Sequence, residues 1–456
     1  MTSESADLSQ AVVAEALEHL KKLIRIDTTN PPGNERAAAD YLARVLEQED
    51  IPFEIVESLP GRASIVARLR GTGEKAPLLL NGHLDVVPAD PERWQHPPFE
   101  AVEHDGCIWG RGAVDMKNMV AMSLEVLVLL KRSGVRLERD VIFAGVADEE
   151  AGSRHGSRFL VEKHPELVRA EYVLNEIGGY TLYFGDAVFY PVQVAEKGIC
   201  WFELSAKGTA GHGSMPRSDN SVVRVARAVE ALGRVRLPQH NTEVVEQFLR
   251  KLAESAPFPQ KHAILLLLEP RVSGPLLDVM ARKDAEQAGA MAAMLRNTAS
   301  PTMLSAGKKI NVIPSTATAQ VDGRIIPGES IQSFLAEVRR VVGDDVTLKV
   351  LEGREGSVFD AKTPLFDAIC RTLERHHPGA IPVPFMIPGF TDSSAYRELG
   401  ATCYGFSPVK MPAGMSYTRL YHGDDERIPV AGFAWGLRVL YDLVRQFCAA
   451  DGKARA

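Results

Sequence analysis

Three short apolar runs in the first half of the chain end on ionisable side chains. LLLNGHLD closes on His83 and Asp85, VIFAGVADEE on Asp148, Glu149 and Glu150, and YVLNE on Glu176. Runs of this length, apolar throughout, are strands buried on both faces, and between them the pattern turns helical. Val12–Ile26, Arg36–Glu47, Met119–Arg132 and Ser157–Lys163 repeat at helical spacing. Ile51–Val56, Ser64–Leu69, Pro77–Leu80, Val141–Val146 and Tyr172–Leu174 read as strands. This alternation predicts an α/β fold with a mixed, mostly parallel sheet covered by helices. In such a sheet ligands gather beyond the carboxyl ends of the strands, where the three runs deliver their polar residues.

The middle of the chain has a different period. Gly198–Lys207 alternates as a half-exposed strand does, Asn220–Leu232 is helical, and Lys309–Ile326 alternates again before the helix Ser330–Val342 and the strand Val346–Leu351. Residues 236–307 look irregular, with helical stretches around Glu243–Leu252 and Leu277–Arg296. We therefore expect a smaller α/β domain, residues 198–355, inserted into a domain formed by residues 1–197 and 356–456. The tail supplies a helix (Leu365–His376), a strand (Thr402–Phe406) and a last helix (Val430–Phe447).

Composition removes several classes of function. Acidic residues number 59 and basic residues 52, a net charge of −7 with no basic block, so a nucleic-acid partner is not expected. Five cysteines are too few, and odd in number, for a disulfide framework, which points to a reducing compartment. The opening MTSESADLSQAVVAEALEHLKKL reads as an amphipathic helix and not as a signal peptide. No run reaches the roughly 18 apolar residues of a membrane span, and the longest, Met119–Leu130, is interrupted by Glu125. A soluble, cytoplasmic protein with no membrane partner is the expectation.

Two further elements join the strand ends: GRGAVDMKN places Asp115 in a Gly-rich loop before a helix, and YHGDDERIP places His422 in a late loop. Singly, each residue has an ordinary reading. Asp115 would be a helix N-cap, Glu149 and Glu150 a solvated turn, and Gly110–Gly112 lacks the spacing of a phosphate loop. Together, two imidazoles and several carboxylates suit zinc, manganese or cobalt. A pair of ions needs one bridging carboxylate and roughly two terminal ligands each. His83, Asp115, Glu150, Glu176 and His422 supply that set. Glu149 is left over beside a ligand, as a general base must be. Asp85, two residues from His83 on a strand, shares its face and can orient the imidazole.

With these motifs the chain resembles the dinuclear zinc aminoacylase, carboxypeptidase G, carboxypeptidase S and succinyl-diaminopimelate desuccinylase family. The resemblance runs through GHLDVVP (82–88), WGRGAVDMK (109–117), DEEAGS (148–153), NE (175–176), GHGSMP (211–216), NVIP (311–314), VDGR (321–324), GFTDSS (389–394) and YHGDDERI. It implies a zinc-peptidase-like catalytic domain and a lid domain that also forms a homodimer. It implies that His83 and Glu176 bind one metal and Glu150 and His422 the other, with Asp115 bridging and its bond to Met116 cis. Glu149 matches the general base and Asp85 the residue orienting the first His. His212 matches a lid His that reaches the partner subunit's active site. Asn311, Arg324 and Gly389 match positions that hold the substrate's carboxylate end. Gly213 stands where the family usually has Ser, and Glu176 where some peptidases have Asp, which leans toward a deacylase.

The implied activity is hydrolysis of an amide or peptide bond next to a free carboxylate, on a small-molecule substrate: an N-acyl amino acid or a short peptide. Two Zn2+ ions, or Co2+ or Mn2+, are the expected cofactors. The rival from another class is a metal-dependent small-molecule binding protein of the same fold without catalysis. Against it stands Glu149. For Arg324 the ordinary alternative is a strand ion pair with Asp322.

Overall fold

The computed structural model describes residues 8–450; residues 1–7 of the N-terminal segment read above as helix lie outside them. The chain divides into two compact units. The first comprises residues up to Val194 together with Phe359–Pro384 and those from Thr391 onward, and the second Ala195–Val358 with Phe385–Phe390. The short segment Phe385–Phe390 thus belongs with the inserted unit, although the sequence reading assigned all of 356–456 to the catalytic domain.

In the first unit the strands Val141–Val146, Leu78–His83, Tyr172–Asn175 and Thr402–Gly405 lie side by side and run parallel. Antiparallel strands flank them: Phe53–Leu59 and Arg62–Leu69 on one side and Ala187–Glu196 on the other. The sheet is mixed, with a parallel centre. Every residue of Val141–Val146 and Leu78–His83 is buried, as the unbroken apolar run of the first and the leucine run 78–80 of the second require. The helix Lys117–Ser133 packs on the strand Leu78–His83 and against the helices Gln10–Arg25 and Val430–Cys448. Gly82 permits that approach, because a Cβ there would stand 2.7 Å from the Val120 side chain. The helix stops at Gly134, whose φ of 61° is left-handed and lets its N–H reach back to Lys131.

The second unit is built on a four-stranded antiparallel sheet in the order Thr298–Ala306, Thr316–Ile325, Gly198–Lys207, Thr347–Arg354. Inward residues of alternating strands meet the apolar faces of the helices Ser221–Arg234 and Ile331–Val342. Phe202, Leu204, Val225, Val321, Phe334 and Val338 form the core. Residues 236–307 are not irregular. They fold into four helices, Glu243–Glu254, Gln260–Leu266, Pro270–Ala281 and Ala285–Leu295, followed by the edge strand Thr298–Ala306.

Candidate metal centre

The parallel register aligns the strand ends. His83 is the partner of Val146, so the turn that follows Val146 emerges beside the imidazole. Leu80 is the partner of Leu174, which brings Glu176 to the same edge. Three backbone positions here are left-handed without being glycine: Asp148 (φ 68°), Ile177 (φ 58°) and His422 (φ 58°). For a β-branched Ile this is a genuine outlier, and strain of this kind persists only where the surroundings enforce it. The peptide bond Asp115–Met116 is cis.

Asp115 stands between the two imidazoles. Its Oδ1 lies 3.0 Å from His83 Nε2, and its Oδ2 lies 3.2 Å from His422 Nε2. Glu176 Oε2 is 3.5 Å from His83 Nε2, and Glu150 Oε2 is 3.0 Å from His422 Nε2. Each carboxylate oxygen of Asp115 therefore faces one His–Glu pair. Glu149 lies with His83 and Glu176, one ligand atom of each falling within 4.8 Å of the others. Asp115 is not the helix N-cap: the helix starts at Lys117, Met116 is the capping residue, and no side chain caps it. Nor is the acidic turn solvated, since Glu149 is 6% exposed.

These donors fit divalent cations. Glu150 Oε1 and Glu176 Oε1 are buried without a hydrogen-bond partner, which is costly for a carboxylate unless a cation meets it. With their protons displaced, Asp115, Glu149, Glu150 and Glu176 would carry four formal negative charges around two neutral imidazoles, the charge that two divalent ions balance. The same crowding shows in proton affinity. Burial raises Glu176, to about 8, and raises Glu149 well above the carboxylate range, with Glu176 adding to the effect. Burial pulls His422 down, but its hydrogen bonds to the Asp115 and Glu150 carboxylates outweigh it and hold it at about 10.

Supporting residues fix these groups. His83 Nδ1 is 2.9 Å from the backbone carbonyl of Asp85 and 3.7 Å from its carboxylate, so the main chain of Asp85 is the nearer orienting group. The Asp85 carboxylate accepts instead from the backbone N–H groups of Glu149 (3.1 Å) and Glu150 (3.2 Å) and from Asn30 (2.8 Å). It shapes the turn that presents both acids.

Sequence reasoning missed Glu426 and Asp392. Glu426, fully buried, accepts from the backbone N–H groups of Gly112, Val114 and Asp115 and pairs with Arg111 at 2.8 Å. It clamps the loop that carries Asp115. Asp392 accepts from Asn81 (3.0 Å) and Ser157 (2.5 Å), and Asn81 also bonds Asn175, tying two strands together beneath the centre. Both acids sit inside quoted motifs, YHGDDERI and GFTDSS, and that was the available signal.

The remaining predicted residues lie in the second unit. His212 is exposed, on the two-residue strand Gly211–His212 that pairs with Val312–Ile313. Gly213 N–H donates to the Asn311 carbonyl at 2.8 Å, so Asn311 is a neighbour of His212. Arg324 makes the alternative ion pair with Asp322, Nε to Oδ1 at 2.8 Å and Nη2 to Oδ2 at 3.0 Å, and stacks over Phe390 at 5.3 Å. The Gly389 carbonyl accepts from Lys197 N–H at 3.0 Å. The two-stranded ladder with His212 and Asn311 lies beyond the Lys207/Thr316 end of the paired strands, whereas Arg324 faces Ile199 at the other end, eight residues or about 26 Å away. One copy of the chain therefore does not bring Asn311 and Arg324 to the same carboxylate, as the sequence reading had paired them.

The buried His83, the half-exposed His422 and four carboxylates, gathered at the strand ends and on two adjoining loops, make the donor set of a metal-dependent centre. The sequence pattern described as peptidase family M20/M25/M40 matches residues 79–446, and the chain belongs to that family. It is a metal-dependent hydrolase acting on amide bonds. An N-fatty-acyl-amino acid synthase/hydrolase (PM20D1) of Xenopus tropicalis is 31% identical over 448 residues, covering 92% of this chain and 84% of the relative. Human aminoacylase-1 is 27% identical over 438 residues, 92% of each chain. The M20 family metallo-carboxypeptidase of Sulfolobus solfataricus superposes with a TM-score of 0.71 at 17% identity, over 94% of this chain and 98% of the other.

Proposed function

We propose that the chain is an N-acyl amino acid deacylase. It hydrolyses the amide next to a free α-carboxylate and releases the amino acid. The reading rests above all on Asp115, whose two oxygens face one His–Glu pair each. His83 and Glu176 would hold one divalent ion and Glu150 and His422 the other, with Asp115 shared; Zn2+ suits this donor set, and Co2+ or Mn2+ also can. Ions bound there supply an acidified water and polarise the scissile carbonyl. Glu149, enclosed beside Glu176, takes a proton from the attacking water and returns it to the leaving nitrogen. Arg324 and Gly389 grip the substrate carboxylate, the planar guanidinium matching its two oxygens. A deacylase is favoured over a dipeptidase by the activities named for the relatives that match over nine-tenths of the chain.

The working unit in this reading is a homodimer through the inserted unit, with His212 and Asn311 acting on a partner's substrate. The separation of that two-stranded ladder from Arg324 supports it. So does the edge strand Thr298–Ala306, which leaves Met303 and Leu304 each 62% exposed. No described helix is long and apolar enough to cross a membrane. The five cysteines are free, which favours a cytoplasmic setting. The deciding experiment is Glu149→Gln. Turnover of N-acyl amino acids should fall by about 10²–10⁴-fold while the bound metal per chain is unchanged. Substantial residual turnover would show that another group is the base.

A further inference from the structure

We propose that Glu15, His19 and Glu125 form a second, separate divalent-cation site that pins the N-terminal helix to the helix Lys117–Ser133. Glu15 and His19 stand four residues apart in the helix Gln10–Arg25 and so project from one face. That face packs on the helix Lys117–Ser133, from whose middle Glu125 points back. One donor atom from each of the three residues lies within 4.8 Å of the others.

Two of the three donors are stranded. Glu125 is 0% exposed, and neither of its oxygens has a hydrogen-bond partner. A carboxylate buried in this way is tolerated only when something neutralises it. His19 is 7% exposed, and its Nε2 also lacks a partner. Its other nitrogen, Nδ1, is 2.8 Å from the Tyr41 hydroxyl. With Nδ1–H donating to Tyr41, the Nε2 lone pair is left facing Glu125, the arrangement typical of a metal-bound histidine. The 3.6 Å between His19 Nε2 and Glu125 Oε2 is too long for a hydrogen bond. It is near the edge, about 3.4 Å, of a tetrahedron with bonds of about 2.1 Å.

The charge count agrees. Arg132 bonds both oxygens of Glu15 at 2.8 Å and also both oxygens of Glu49, which holds Glu15 in place. Glu15, Glu49 and Glu125 against one guanidinium leave two negative charges, and one divalent ion cancels them. One nitrogen and two oxygen donors suit a borderline ion such as Zn2+, with water completing the shell. None of these residues touches the strand-end centre, so the ion here is structural.

Zinc counting by elemental analysis tests this on the full chain, reconstituted with Zn2+ and freed of loose ions by gel filtration. His19→Gln and Glu125→Gln should each carry one zinc fewer per chain than the wild type while keeping deacylase turnover. Equal zinc in the wild type and both folded variants overturns the site and leaves a neutral Glu125–His19 pair. A second measurement leaves the cluster intact. In a chain with His83→Ala and His422→Ala, calorimetric titration with Zn2+ alone should still find one site per chain, and finding none overturns the proposal. The site found there should disappear when His19→Gln is added to that chain, so the outcome does not depend on how many ions the strand-end centre holds.

Discussion

The two units carry their functional residues in opposite ways. In the first, His83, Glu149, Glu150 and Glu176 follow fully buried parallel strands and are braced by Asp85, Glu426 and Asp392. In the second, His212 stands exposed on a two-residue strand, and Arg324 is tied to Asp322. Dense like charge can be held only where backbone N–H groups and rigid strands fix it, because each carboxylate must stay placed against the repulsion of its neighbours. An exposed two-stranded ladder needs no such bracing if its work is to meet another molecule. The first unit thus holds a complete set of candidate cation ligands by itself, and in the proposed reading the second offers residues that act on another surface.

The strongest way to break this contrast is to separate the two sets of residues onto different chains. In the proposed homodimer, chains carrying His212→Ala or Glu149→Gln should each be nearly inactive alone. Refolded or subunit-exchanged mixtures should recover about a quarter of wild-type turnover, since random pairing makes half the dimers hybrid with one intact centre each. An absence of recovery, with hybrids verified by mass, would mean that His212 acts within its own chain. A smaller effect is expected at Glu426. Glu426→Gln keeps the side chain's shape but removes the charge that three backbone N–H groups and Arg111 converge on. Metal affinity should fall by about 10–100-fold, measured by competition with a chromophoric chelator. Unchanged affinity would mean that the loop holds Asp115 without it.

Much of the first unit was legible because period and chemistry coincide there. The apolar runs break at Asn81, Asp148 and Asn175, and ionisable residues follow within two positions, so His83, Glu149, Glu150 and Glu176 could be singled out from order alone. Glu426 and Asp392 could not, since a loop acid looks solvated until distant segments close over it. The same is true of His19 and Glu125: Glu125 registered only as an interruption of an apolar run. In the second unit Pro and Gly obscured the pattern. Pro275 and Gly274 lie inside the helix Pro270–Ala281, and Pro301 lies in the strand Thr298–Ala306, which tolerates it as an edge strand with a shift of register at that point. Pro382 and Pro384 likewise disguised the strand Ile381–Ile387. The neighbourhood of Asn311 and His212 is a property of long-range strand pairing, which their separation of about a hundred residues does not disclose.

The role of Arg324 sharpens the contrast by a more modest change. Its guanidinium already spends two N–H groups on Asp322 and stacks on Phe390, so it is held in position before substrate arrives. Arg324→Lys keeps the charge and loses the planar fork. KM for an N-acyl amino acid should rise by about tenfold, as expected for one charge-assisted hydrogen bond, with kcat little changed. A fall in kcat at constant KM would place Arg324 in the chemical step instead.

The smallest effect concerns a buried charge without a counter-charge of its own. Lys197 is 1% exposed, and its Nζ donates to the carbonyls of Ala293 (3.0 Å) and Arg296 (2.7 Å) and to Thr298 Oγ1 (3.3 Å). Burial pushes it down to about 7, Arg324 adds to the fall, and Asp322 opposes it. Because the folded-state value lies below the ordinary one of 10.5, the charge weakens the fold fully below pH 7. That penalty is relieved as pH rises from 7 toward 10.5, where the unfolded chain still binds a proton that the folded chain has released. Lys197→Met has nothing to titrate. Its urea midpoint relative to the wild type should therefore be most favourable at about pH 6.5 and decline toward about pH 9. A difference that does not move with pH would show that three oxygens suffice to keep the ammonium charged. The inserted unit would then hold a buried charge by hydrogen bonds alone, where the strand-end carboxylates call for cations.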